Sequence, residues 1–561
     1  MIKILKLILF VVFFIYQTFA FSKTTDELDF NYKYASNYLS AIISENNNIS
    51  EDSLKYFNSS KILINKHDGY LKKYISSLVI NGKVKKSINI IKQNGNINNS
   101  KFFEANLLLL IDNFKKKNFK DNIEILYEFE RYQSQGTYEY IIYDVLKNYN
   151  NLFLNRELNL NDKKFGKLSL INEAFQYCYL NRSEARTAFI NLVNSNEGDY
   201  TRYLFFYIAN LIRNEDFESV KQISKSINIL DSNLLIQQSK QWLDESNFDK
   251  FSQIFSCENE NDIIAEFFFL IANFYSAEES FKKSNFYLNI SNYLNSKFYF
   301  NQTHLVSNYI ENKNYEKTRD ILKNFNKEDK VYYWYKLKKV AQIINDEQSS
   351  KQSLFYIEKK FNEYPNPSIK ITYDMANIYK RNKEFKKSIK YYSLLLKKLN
   401  ENSNAYADVL YKRGSSYERI GDYQSSDKDL LKSLSIKPNE PYVLNYLGYG
   451  WLERGYKIED AISMLDKAYN QKKNDPFIID SVGWGYYLIG DFINAESFLR
   501  KAVELMPNDP IVKDHYGDVL WKLNRKIQAK YYWQSILDSE ESDEDLKKNI
   551  SKKLLKGLNE S

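Results

Sequence analysis

The sequence predicts an all-α protein, a solenoid of antiparallel helix pairs, on three observations. The 561 residues include only 7 prolines and 16 glycines, so long stretches run without a helix breaker. Apolar and aromatic residues recur at helical spacing between asparagine- and lysine-rich turns. Four glycines, Gly414, Gly448, Gly483 and Gly517, lie 34, 35 and 34 residues apart, a fixed period that marks stacked repeats.

At 43% hydrophobic and 27% charged residues, the chain can bury a large core and is not a disordered protein. Two cysteines and three dispersed histidines (His67, His304, His515) exclude a disulfide framework, a four-thiolate zinc site and a local metal motif. The formal charge of +8 comes from interspersed lysines and does not imply nucleic acid.

Met1 to Phe19 has lysines at positions 3 and 6, an apolar run from Leu7 to Tyr16, then Thr18-Phe19-Ala20. That is the pattern of a secretory signal at 1–20, cleaved near Ala20 or Ser22. The apolar run is shorter than the roughly 20 residues a membrane-crossing helix needs, although an uncleaved anchor is the alternative. No cysteine adjoins the cleavage region, so no lipid attachment is expected.

All seven prolines fall at or after Pro365, and nine of the glycines lie between Gly414 and Gly517. Residues 24–400 therefore read as degenerate helical hairpins, with a separate non-repeat helical domain over about 24–250 as the alternative, 401–537 as well-formed repeats, and 538–561 as a charged capping helix and tail. The clearest unit runs Gly483, Tyr486, Gly490, Ala495, Leu499, Ala502, Pro507. Gly483 and Ala495 belong where the two helices of a hairpin cross closely, with Tyr486 and Leu499 filling the space beside them. Ala461 and Ala529 take the place of Ala495 in their own units. Gly421, Gly455 and Gly490 end first helices in a left-handed conformation, and Asn524 substitutes in the last unit. Pro438 and Pro507 close second helices. Upstream the glycines vanish, but Ala272, Tyr275, Ser284 and Leu288 recur 34 residues on as Val306, Tyr309, Thr318 and Leu322, and Ala376, Tyr379, Ser388 and Tyr392 fit one more unit.

The segments NYLGYGWLERGYKIEDAISMLDKAY, DSVGWGYYLIGDFINAESFLRKAVELMPNDP and DHYGDVLWKLNRKIQAKYYWQSIL resemble tetratricopeptide repeats, and more narrowly the C-terminal repeats of exported bacterial tetratricopeptide proteins. The likeness is strong over 401–537 and weak upstream. It implies a right-handed superhelix that binds protein segments, no cofactor, and a periplasmic location, with an inner-membrane anchor facing the periplasm as the alternative. The chain departs by one inserted residue between Gly455 and Ala461, by Ser426 in place of alanine, and by lacking the lysine and asparagine pair with which chaperone-binding relatives clamp a terminal carboxylate.

In such a superhelix the first helices line the concave face, and the positions three before and one past each glycine point inward. Those are Tyr411 and Ser415, Asn445 and Tyr449, Asp480 and Trp484, Asp514 and Asp518, joined by Tyr487 and Trp521. The expected groove is aromatic and acidic, suited to a basic or internal protein segment. With 47 tyrosines in the chain, packing between repeats is the competing account of part of this stripe.

Catalytic chemistry finds little footing. Cys178, in AFQYCYL, reads as a buried inert thiol, as does Cys257. Export would let the two pair, but they stand more than two repeat lengths apart and repeats touch only their neighbours. His515, with Asp514 and Asp518 nearby, reads as a surface or structural residue. No glycine-rich phosphate loop, HExxH or paired CxxC occurs. The expected function is a non-catalytic scaffold or adaptor in the bacterial cell envelope holding one or more proteins. The alternatives are an adaptor of polysaccharide export machinery, a carboxylate-dependent glycan-processing enzyme, and a cytoplasmic adaptor.

Overall fold

The computed structural model describes residues 32–47, 50–67, 69–95, 102–130, 137–160, 165–194, 201–539 and 542–558. The signal expected at 1–20 lies outside them. Among the described residues every regular element is helical, successive helices pack against one another as antiparallel pairs, and no helix is long and apolar enough to cross a membrane. Two compact units result, one comprising residues up to Ile227 with Ser232–Lys336, the other Asn228–Asp231 with Leu337 onward.

The first unit has one continuous aromatic and aliphatic core reaching from Tyr38 to Tyr309. Its helix pair Glu260–Ala277 and Phe281–Leu294 also packs on helices from the opposite end of the unit, Tyr70–Ile80, Val84–Gln93, Phe103–Lys116 and Tyr138–Asn155. The Ile80 carbonyl accepts hydrogen bonds from Asn289 Nδ2 at 2.9 Å and Tyr309 Oη at 3.1 Å. Tyr138 lies parallel to Phe274, with centroids 6.0 Å apart, and donates to Glu278 at 2.6 Å.

This return contact corrects the expectation for the thiols. Cys178 and Cys257 form a disulfide, with their Cα atoms 5.7 Å apart. Neighbour-only contact holds for an open stack, whereas here the helix Lys167–Tyr179 lies beside the start of Glu260–Ala277. Tyr179 donates to Glu260 at 3.0 Å, and Arg213 bonds the Cys178 carbonyl and the Glu258 carboxylate, both at 2.7 Å. Both cysteines are buried, as the sequence suggested, but as one bond.

The second unit contains five regular repeats: Ile369–Arg381 with Phe385–Leu396, Asn404–Arg419 with Tyr423–Ile436, Pro441–Glu453 with Ile458–Gln471, Pro476–Leu488 with Phe492–Leu505, and Pro510–Lys522 with Lys526–Leu537. A closing helix, Glu544–Lys556, follows. Proline opens the first helices of repeats three to five, where its missing N–H is unneeded. Asp475 and Asp509 cap two of them by accepting from the second and third N–H groups. Gly421, Gly455, Gly490 and Asn524 all have positive φ at the turn between paired helices. The inserted residue of repeat three is absorbed there too, with Lys457 left-handed at φ 44°. Ile550 of the closing helix is fully buried and completes the last core layer with Ile536 and Trp533, which stops the stack from exposing an apolar end.

The repeat glycines mark contact between paired helices. A Cβ on Gly517 would stand 2.4 Å from Nε1 and 2.6 Å from Cδ1 of Trp533. That indole is fully buried and its N–H bonds Asp518 at 3.2 Å, so it has nowhere to move. Gly517→Ala is expected to lower stability by about 1–3 kcal/mol through overpacking. Gly450, on a helix face with open space around its Cα, is the control: alanine there should be neutral or stabilise by about 0.5–1 kcal/mol. Urea midpoints of the two variants at unchanged slope provide the measurement.

Candidate functional site

First helices of neighbouring repeats meet on one face of the second unit through Lys380 and Ser415, Tyr411 and Tyr446, Glu453 and Trp484, and Asp480 and His515, and several of the side chains expected to point inward take part. Tyr411 sits edge-on to Tyr446 at 5.8 Å, and Tyr446 donates to Glu418 at 2.8 Å. Asn445 is half-buried with its Oδ1 unpartnered. Burial, with the Glu453 and Asp480 carboxylates nearby, raises the Tyr449 phenol above its ordinary range.

Repeat four provides the densest cluster. Trp484 is sandwiched between Tyr487, at 4.5 Å and 11°, and His515, at 4.0 Å and 15°, and its indole N–H reaches back to Glu453 of repeat three at 2.5 Å. His515 Nδ1 lies 3.0 Å from each Asp480 oxygen. At 7% exposure His515 is not the surface residue its place before Gly517 suggested: the ring is drawn under Trp484 by stacking and by Asp480. Burial opposes the imidazolium, but Asp480, with help from Asp514 and Asp518, outweighs it and raises the His515 pKa. In repeat five, Lys553 of the closing helix bonds Asp514 at 2.6 Å and both Asp518 oxygens at 2.7 and 2.8 Å. Trp521 packs on Gly557, where a Cβ would collide with the indole.

The carboxylates on this face are thus committed within the chain: Glu418 to Tyr446, Glu453 to Trp484, Asp480 to His515, Asp514 and Asp518 to Lys553. What remains open is aromatic. Tyr411, Tyr449, Trp484, Tyr487 and Trp521 are each half-buried, with part of the side chain accessible. Lys553 was missed by sequence reading although it stands 35 residues after Asp518; extending the repeat period by one more helix finds it.

The titrations of His515 and Asp518 share a sign. His515 binds its proton more tightly folded than unfolded, so its contribution to stability is complete below about pH 6.5 and is lost as pH rises through the higher folded value. Asp518, raised by burial and by Asp514 to about 6, likewise favours the folded state when protonated and loses that preference as pH rises through about 6. Stability of the second unit is expected to fall as pH rises from about 4 through about 6, on account of Asp518, and to fall further above about 6.5 as pH rises through the raised His515 value. Asp480→Asn should flatten the upper part of that profile, with Trp484 emission as the probe because its ring lies on His515. A profile unchanged by Asp480→Asn contradicts this assignment.

The sequence model of the tetratricopeptide repeat matches residues 407–440. That segment spans most of the first helix and all of the second helix of repeat two. Solved structures similar to this chain include a tetratricopeptide repeat protein from Parabacteroides merdae ATCC 43184 (14% identity, 45% of this chain and 97% of that one, TM-score 0.38). A thermophilic TPR protein of Thermus thermophilus (17%, 34% and 100%, 0.30) and Pseudomonas aeruginosa pilF (16%, 34% and 85%, 0.28) are also similar. The chain contains an all-helical, tetratricopeptide-like domain. Among the described residues no three His, Cys, Asp or Glu side chains converge as a possible metal site.

Proposed function

We propose that the protein is a non-catalytic scaffold of the bacterial cell envelope that captures a segment of a partner protein on the first-helix face of its tetratricopeptide-like repeats. The observation that carries this reading is the row of partly accessible aromatic side chains on first helices, Tyr411, Tyr449, Trp484, Tyr487 and Trp521, in which Tyr449 and Trp484, and Tyr487 and Trp521, stand one repeat apart. Aromatic side chains contribute large contact area at small entropy loss, and the helix pairs beneath fix their positions. The charged-then-apolar segment at 1–20 and the Cys178–Cys257 bond support the envelope part, since such bonds persist in oxidising compartments.

The test is a crosslinked pull-down of the full chain from its native envelope, with mass spectrometry of the partners and of the N-terminal peptide. Expected are a mature N-terminus near Phe21 or Lys23 and a reproducible envelope protein crosslinked to the aromatic row. An intact Met1 with cytoplasmic partners overturns the envelope assignment.

A further inference from the structure

The first unit holds a cavity of about 350 Å³ between the helices Tyr138–Asn155 and Lys167–Tyr179, a volume within the range of small-molecule sites. The local sequence keeps it open. Gln176 of the second helix accepts from the Asn159 N–H and donates to the Asn159 carbonyl, both at 2.9 Å, and Ser169 Oγ accepts from the Phe165 N–H at 2.8 Å. Asn159 and Phe165 are thereby pinned to one helix about two turns apart, with the cavity beside both. Gly166, at φ 56°, starts that helix without a side-chain cap, and a Cβ there would meet nothing within 4 Å. Half-buried Phe165 and exposed Leu160 and Leu170 give the cavity apolar walls. Four polar side chains around those walls have hydrogen-bonding capacity to spare. Asn172 Oδ1 accepts from Tyr149 at 3.0 Å, which fixes the carboxamide and leaves its N–H donors unused. Glu173 Oε1 accepts from Tyr177 at 2.9 Å, leaving Oε2. Asn148 donates to Asp144 at 3.4 Å, leaving Oδ1, and Ser169, an acceptor for Phe165, still has its own O–H to give. Among the described residues these spare atoms have no partner in the chain.

The ligand these groups fit is neutral and rich in hydroxyls. Each hydroxyl both donates and accepts, which matches donors on Asn172 and Ser169 beside acceptors on Asn148 and Glu173. A sugar ring adds C–H faces to lie against Phe165 and Leu170. An acyl chain would press the same polar groups against hydrocarbon without partners. An anion would meet Glu173, the one formal charge among the lining residues. We propose that the cavity binds one neutral sugar ring, held by Asn148, Ser169, Asn172 and Glu173 against Phe165 and Leu170. The site goes beyond the scaffold reading and does not rest on it, since it belongs to the first unit and the aromatic row to the second. The ring can be a free sugar or the end unit of a glycan chain.

The test is titration of the full chain by saturation-transfer NMR with glucose, galactose, mannose and N-acetylglucosamine, with the linear trimers of glucose and N-acetylglucosamine, and with glucuronate and 1-octanol for comparison. At least one neutral sugar should receive saturation from the protein. Asn172→Leu should weaken its binding about 10-fold, the scale of one or two hydrogen bonds. Leu170→Trp, which places a larger side chain at the cavity wall, should abolish it. Leu170 is 47% exposed, so that variant leaves the core packing alone and carries the test if Asn172→Leu does not fold. A trimer that binds about 10-fold or more tightly than its monomer assigns the site to the end of a glycan chain, and equal binding assigns it to a free sugar. No transfer to any of the neutral sugars, transfer that Leu170→Trp leaves unchanged, or preference for glucuronate or octanol overturns the proposal.

Discussion

Replacing Arg202 by methionine is expected to destabilise the first unit by about 3–5 kcal/mol, the range for breaking one side of a buried ion pair. Arg202 is 7% and Glu266 1% exposed. The guanidinium donates through Nε to Glu266 Oε1 at 2.8 Å, through Nη2 to Oε2, and through Nη2 to Asn301 at 3.0 Å. It lies 3.7 Å from the centroid of Phe269, with Phe300 and Phe298 at 4.9 and 5.2 Å, so no water can take its place. Burial already raises the Glu266 pKa against the opposing effect of Arg202, and without the arginine that carboxylate must take up a proton to stay inside. The variant's deficit should therefore shrink as pH falls. The double variant Arg202→Met with Glu266→Leu should recover most of the loss, since apolar residues of similar volume replace such pairs at little net cost. Urea unfolding of both variants at two pH values measures the cycle. A single-variant loss below about 1 kcal/mol, or a double variant no better than the single, shows that the pair is not what holds these helices together.

The repeats were legible where the sequence spends small residues on helix contact. Gly483 meets Leu499, where a Cβ on the glycine would stand 2.7 Å from Leu499 Cγ, and Gly448 meets the helix of Ala461, where a Cβ would stand 2.9 Å from the Ala461 carbonyl oxygen. Upstream the same architecture was faint because the left-handed turn persists without its glycine. Asn181, Glu215, Ser246, Glu279, Lys313 and Lys383 all have positive φ, each at a local cost of order 1 kcal/mol that the packed helix pairs on either side sustain. Yet Ala272, Tyr275, Ser284 and Leu288, read from spacing alone, are all buried, because helix contact needs a small residue opposite a large one even when the turn does not show itself. The face chemistry was half legible. Spacing placed Trp484 and Asp518 on one side of their helices, but not their partners. Whether a carboxylate stays open or takes His515 or Lys553 depends on a side chain one repeat away, and no local pattern encodes that choice. The disulfide was the least legible feature, since it depends on the first unit closing back on itself through contacts such as Tyr309 to Ile80, 229 residues apart.

That bond supports the second large prediction. Cys178→Ser with Cys257→Ser, or reduction of the wild type, is expected to destabilise the first unit by about 2–5 kcal/mol, the usual loss when a native disulfide is removed. The cysteines are 79 residues apart, and in the chain-entropy account a bridge across so long a segment restricts the unfolded chain strongly, by about 4–5 kcal/mol. Among the described residues five helices run between them, from Glu184–Val193 to Asp249–Ile254, which the bridge ties to the start of Glu260–Ala277. Trp242 lies within that bridged segment, so its emission should report the shifted transition. Alkylation of the denatured chain without reductant distinguishes the compartments. Protein taken from its native envelope should leave both thiols unlabelled, and protein made in a reducing cytoplasm should label both and unfold at lower urea. Free thiols in the native protein would remove the main structural support for export and leave the first unit to be held by burial, by the Arg202–Glu266 pair and by polar contacts such as those of Asn289 and Tyr309 with Ile80.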